Sequence, residues 1–326
     1  MKRSISARIA IKGSAFLSDA RVLYGFKLTL TLAFVVWLWD YLRAQEPASA
    51  WRHLHPGWLA LAVVLLPLNI GLQFLKWHAL LRLAQPHCPV QVSLYSLFAG
   101  FPLGLLTPGR WGELGRALYV PQLPKDEVFF LSAMDKIHAL LVNAWVGSLA
   151  LVYLMNKNVL SGRWRWLAWV AAAVFLILNM TLLLPSLFCR WRNLLRRFPL
   201  KKDRAGTDEW QVAAPRLIAI YLFSFLFVVT YCLQMAVLVR GFCAVDFTPA
   251  LASAAAVFFL KNALPFTIGE LGVREGMAVF FFAALNVPAP AALHASLALF
   301  VFNLVLPALA GLLWIWIRKS EDQRCC

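Results

Sequence analysis

Pro108-Gly109-Arg110-Trp111-Gly112-Glu113-Leu114-Gly115-Arg116 and Pro265-Phe266-Thr267-Ile268-Gly269-Glu270-Leu271-Gly272-Val273-Arg274-Glu275 share the pattern P-x-x-x-G-E-L-G. Each has an arginine close behind and a strongly apolar run in front. Identical letters in register with a matching proline argue for a duplicated unit. Proline and glycine leave backbone groups unpaired, which lipid forbids unless that backbone is buried in protein or lines a polar cavity. Charges in such a place are expensive and point to a functional site.

Working outward, the 326 residues are 61% hydrophobic and 14% charged, with a mean hydropathy of +0.71. A soluble domain lies nearer about 45–50% apolar and about 25% charged. The chain therefore reads as one polytopic integral membrane domain over residues 1–326. Its 31 Lys+Arg against 15 Asp+Glu would suit nucleic acid, but the basic residues cluster between apolar segments, where they set orientation. Nucleic acid is thus not an expected partner. Six cysteines show no CxxC pairing, and no His-rich spacing accompanies them, so neither a disulfide framework nor a metal site is expected. Ala48-Ser49-Ala50 resembles a cleavage site, yet Arg43 and Glu46 intervene, and the first helix is expected to remain uncleaved.

Residues 1–21 form a basic cytoplasmic head, and a first half covers 22–155. A second half covers 163–317 and contains the basic loop 190–216. Spans are expected at 22–42, 58–83, 128–155, from about 164 to an end before Arg190, 217–239 and 293–317. Lys76 and Arg82 read as the cytoplasmic end of the second span. Two apolar runs, 92–106 and 248–264, are too short to span and lead into the motifs. They read as re-entrant half-helices, the first broken at Gly100, Pro102 and Gly104, returning over 116–123 and 276–285. The outer loops hold only Arg43, Arg52, Lys157, Arg163, Arg165 and Arg240, so both termini face the cytoplasm. Three full spans separate the motifs, which makes the duplication an inverted repeat whose broken helices meet at mid-membrane. The fold class is all-α, with about six transmembrane helices plus two re-entrant hairpins.

Gly112, Gly115, Gly269 and Gly272 permit tight turning and close backbone approach, with Pro108, Gly109 and Pro265 as helix breakers. Backbone N–H groups freed there, and any helix starting in the motif, favour an anion. Arg110, Arg116 and Arg274 add donors suited to phosphate or carboxylate. Glu113, Glu270 and Glu275 could pair with those arginines, take up a proton or meet a cationic headgroup. Lys261 and Asn262 abut the second motif and read as cavity-lining. The bland alternative makes Glu113–Arg116 and Glu270–Arg274 simple helical ion pairs. Asp135 and Lys136 read as structural, snorkelling residues, and Asn303 as satisfying the backbone of a neighbouring helix. HExxH, G-x-S-x-G, Walker A and Rossmann patterns are missing, so no catalytic residue and no cofactor are expected.

Leu106 through Arg116, Asp135-Lys136 in the next helix, and Pro265 through Gly276 together resemble the transmembrane, flippase-like region of lysylphosphatidylglycerol synthases. That resemblance implies a multi-pass protein handling amphiphilic lipids, with relatives linked to phospholipids, polyprenyl-linked sugars and hopanoids. It also implies a member without the aminoacyl-transferase domain, so that making the aminoacylated lipid is not its own activity. Glu270 departs from the small residue or glycine that relatives often carry there. The expected function is a lipid flippase of the cytoplasmic (inner) membrane binding an anionic headgroup between the two motifs. The alternatives are a scaffold holding a lipid-modifying enzyme as partner and an integral-membrane transferase.

Overall fold

A computed structural model describes residues 54–105, 107, 110–195, 212–263 and 272–324, with isolated positions at 29, 36 and 40. The expected span 22–42 and the basic head fall outside the described residues, as do Pro108, Gly109, Pro265, Gly269 and Glu270. Among the described residues every regular element is helical. The order is α1 (Pro56–Ala84), α2 (Val90–Leu105), a 3₁₀ stretch (Trp111–Tyr119), α3 (Lys125–Asn156), α4 (Arg165–Leu182), α5 (Pro185–Leu195), α6 (Ala214–Phe242), α7 (Phe247–Ala263) and α8 (Val273–Ala283). The last helix comprises α9 (Ala289–Phe300), a π turn (Val301–Val305) and α10 (Leu306–Arg324).

Five helical segments among the described residues are long and apolar enough to cross a membrane: Pro56–Ala84, Lys125–Asn156, Gly162–Leu182, Ala214–Phe242 and Ala289–Arg318. They correspond to the five expected spans after the first. Each boundary has a local cause. Pro56 and Pro215 occupy the first turns of α1 and α6, where a missing N–H costs nothing. Asp126 and Glu127 sit in the first turn of α3, against the positive end of its dipole. The fourth span stops at Leu182, well short of Arg190, because Pro185 disfavours helix at the residue before it and starts α5 afresh. In the last helix Pro307 offers no N–H to the Asn303 carbonyl. The ladder widens into the π turn just before it, with Leu306 N–H donating to Val301 O.

The short elements are α2 with 16 residues and α7 with 17. At 1.5 Å per residue they reach about 25 Å, less than the ~30 Å of a hydrocarbon core. The 3₁₀ stretch packs back on α2, and α8 packs back on α7. The first return starts inside the motif at Trp111 and the second at Val273, both earlier than the sequence suggested.

The spacing between the motifs recurs in the helices around them. The offset that places Gly112 on Gly269 also places Val90 on Phe247 and, within one residue, Pro56 on Ala214. Helices α1 and α6, each of 29 residues, pack side by side in opposite directions. His55 N–H donates to Gly241 O at 2.8 Å, Arg240 lies over Trp58, and Gln234 Nε2 donates to Ala62 O at 2.8 Å. Each short helix packs on a helix distant in sequence, α2 on α10 and α7 on α3. A glycine permits each crossing. A Cβ on Gly311 would stand 2.1 Å from Phe98 O, with Pro102 Cδ at 3.2 Å. A Cβ on Gly147 would stand 2.2 Å from Phe259 Cβ, with Ala255 O at 3.1 Å. The motif offset carries Phe98 onto Ala255 and Pro102 onto Phe259, so the two contacts are made at equivalent places.

Gly147→Ala and Gly311→Ala are therefore each expected to cost about 1–3 kcal/mol through overpacking. Gly71→Ala, with open space at its Cβ, should be neutral or stabilising. Melting temperatures of the detergent-solubilised variants check this ordering.

Candidate functional site

The first motif begins as a tight turn. Thr107 Oγ1 donates to Leu103 O at 3.0 Å and accepts from Gly112 N–H at 2.6 Å. Arg110 is left-handed, with φ 57°, an unusual conformation for a side chain of its size. Gly112 has no alternative: a Cβ there would lie 1.9 Å from Leu103 O. The 3₁₀ stretch then lies against α2, whose Gly100 and Gly104 are the seats for two charged side chains. A Cβ at Gly100 would meet Arg116 at 2.7 Å, and one at Gly104 would meet Glu113 at 2.7 Å. These glycines read as helix breakers in the sequence, yet both lie inside α2.

Two acids and four cations make one network. Asp135 on α3 pairs with Lys76 of α1 at 2.8 Å and with Arg116 at 2.9 Å. Lys76 also donates to the Asp135 carbonyl at 3.2 Å. Glu113 accepts from Arg110, pairs with Lys136 at 3.1 Å and lies 3.6 Å from Arg116. Arg116 and Lys76 are also stacked over Trp77 and Phe227. Neither Lys76 nor Asp135 snorkels; both are buried, which corrects the reading of Lys76 as an interfacial residue and of Asp135 as a peripheral one. The Glu113–Arg116 pair exists, but Asp135 is the nearer partner of Arg116.

At the second motif Gly272 adopts φ 90°, and α8 begins beyond it. The N terminus of α8 is already filled, since Gly272 N–H donates to Glu275 Oε2 at 2.7 Å. The other oxygen of Glu275 accepts from Arg274, and Ser296 of α9 bonds both, at 2.9 Å to Arg274 Nε and 3.2 Å to Glu275 Oε1. The expected anion seat at this helix start is thus taken by the protein's own carboxylate. The face of Phe300 covers Arg274.

Both motifs open on one cavity of about 480 Å³. Arg110, Glu113 and Arg116 line it from the first motif, Lys261, Asn262 and Arg274 from the second. Glu275 stays behind Arg274. Apolar walls come from α3, α6, α7 and α9, and the remaining polar groups are those the sequence did not single out for binding: Asn69, Gln73, Lys76, Asp135, Lys136 and Asn303. Asn303 sits in the π turn and donates at 2.7 Å to the side-chain Oε1 of Gln234 on α6, not to a helix backbone as expected, while also facing the cavity. Counting Glu275, six described cations stand against three acids, so the described part of the site is net positive.

A family pattern described as the lysylphosphatidylglycerol synthase TM region matches residues 23–311. The chain belongs to that family. Its match takes in both motifs, the network on α3 and the last helix as far as residue 311. No curated protein matches the chain significantly. Membership makes this a multi-pass membrane protein of a lipid-handling family.

Cysteines Cys88, Cys189, Cys232 and Cys243 are free. Burial pushes the loop thiol of Cys88 upward, so it stays protonated at neutral pH.

Removing Asp135 should be the most destabilising change in the network. Asp135→Asn strips a counter-ion from two buried cations and is expected to cost about 3–5 kcal/mol. Arg110→Ala, at a side chain 22% exposed, should cost under about 1 kcal/mol. Denaturation of the two variants in the same detergent checks the contrast.

Proposed function

We propose that the protein is a lipid-handling transporter of the cytoplasmic membrane that holds an anionic headgroup between its two P-x-x-x-G-E-L-G motifs. The observation carrying this reading is the shared, net-positive cavity, into which Arg110 and Arg116 from one motif and Arg274 and Lys261 from the other all converge. Its size suits a headgroup, and its apolar walls suit the start of a hydrocarbon tail. Arginine forks on a phosphate supply strong, oriented hydrogen bonds.

Transport follows from the relation between the halves. Opposed α1 and α6, reciprocal packing of α2 on α10 and α7 on α3, and matched glycine crossings support an inverted repeat with re-entrant hairpins. In such a fold one half rocks against the other around a fixed midplane site. The glycine crossings are where close-packed helices could slide, so the headgroup would meet one face and then the other.

A vesicle assay tests the reading. Proteoliposomes carrying a headgroup-labelled anionic phospholipid are treated with dithionite, which reduces only outward-facing label. Wild type should bring the inner-leaflet label out faster than protein-free vesicles, and Arg110→Ala/Arg274→Ala should slow it at least about tenfold. Wild-type rates equal to protein-free vesicles would overturn transport and leave a protein that holds lipid for a partner enzyme.

A further inference from the structure

The network at the first motif has two tiers. The inner tier, Lys76–Asp135–Arg116, is closed off: the side chains of Arg116 and Lys76 are 2% and 3% exposed. The outer tier, Arg110–Glu113–Lys136, is different. Glu113 is buried, while both of its outer cations are 22% exposed and line the cavity. The carboxylate thus occupies the donors that face the space where a ligand would sit. Its own seat over Gly104 is sterically defined, since even one methyl group there would stand 2.7 Å from Glu113 Cγ.

We propose that Glu113 is a resident counter-anion that an incoming phosphate group displaces from Arg110 and Lys136, rather than a contact to the ligand. The proposal rests on the headgroup site described above and deepens it. Phosphate offers more acceptor oxygens than a carboxylate and can engage Arg110 and Lys136 together. The displaced Glu113 has somewhere to go. Arg116 is 3.6 Å away, and its buried Nε has no hydrogen-bond partner. Closing on Arg116 would keep the carboxylate paired, so displacement leaves no buried charge bare. Glu113 then sets a threshold: a group without a strong anion cannot exchange with it. Phosphodiester or phosphomonoester amphiphiles are the ligand class that meets it. A headgroup offering only a cation would instead need Glu113 as its contact, and the effect of neutralising Glu113 would have the opposite sign.

Equilibrium binding of dihexanoyl phosphatidylglycerol to detergent-solubilised full-length protein tests this, with inorganic phosphate as a second probe. Glu113→Gln should tighten phosphatidylglycerol by about tenfold, and Arg110→Ala and Lys136→Met should each loosen it by about as much. Gly104→Ala, which unseats the Glu113 side chain while keeping its charge, should also tighten binding and decides the matter if Glu113→Gln does not fold. Weaker or unchanged binding of both phosphatidylglycerol and inorganic phosphate in whichever of these two variants is folded would overturn the counter-anion. Wild type that fails to bind phosphatidylglycerol, or binds it equally well after Arg110→Ala, would instead overturn the headgroup site itself. Inorganic phosphate binding that tightens in those variants while phosphatidylglycerol binding does not would keep the counter-anion and assign the site to a free phosphate.

Discussion

Asp135 neutralises two cations, Lys76 and Arg116, that are almost wholly removed from solvent, and the arrangement of the first half depends on that compensation. An ionised side chain inside an apolar bundle persists only if it is paired and hydrogen-bonded. The pairing here joins α1, α3 and the 3₁₀ stretch, adding directional contacts to the apolar packing between them. The glycines of α2 complete it by letting Arg116 and Glu113 lie flat against the helix. Charge balance and steric fit therefore fix the same geometry. The second motif uses a smaller version, with Arg274, Glu275 and Ser296 closing on the start of α8.

This economy explains the shape of the cavity. Buried pairs form its floor, while partly exposed Arg110 and Lys136 reach into it. Apolar walls from both halves surround those donors, lowering the local dielectric and strengthening any charge-assisted bond made inside. On the proposed reading, a ligand bound there would touch helices from both motifs, the elements that transport would have to move. Membership of the lysylphosphatidylglycerol synthase TM family places this geometry in a lipid-handling context.

Much of the fold was legible because hydrophobic runs and helix breakers are local signals. The long apolar runs gave the spans, and the repeated proline-glycine motif gave the turns. Six of the eight expected binding residues do line one cavity; Glu275 lies behind Arg274, and Glu270 is outside the described residues. What could not be read depends on partners distant in sequence. Lys76 looked interfacial because it stands near the end of its run, whereas its counter-ion Asp135 is 59 residues away. Gly100 and Gly104 looked like breaks, since nothing local reveals the side chains they accommodate. The end of the fourth span could be placed only as before Arg190, because the apolar pattern continues past Pro185, where only the backbone constraint ends the helix. Glu275 looked available to a ligand because its bond to Gly272 depends on a turn with positive φ.

The central claim is that one cavity, built from both motifs, holds an anionic lipid headgroup. Native mass spectrometry of the gently solubilised protein beside its Arg110→Ala/Arg274→Ala variant tests it most directly, because the bound lipid identifies itself by mass. The account predicts a defined anionic lipid on the wild type and its loss from the variant. Bulk lipid alone, held equally by both proteins, would contradict it.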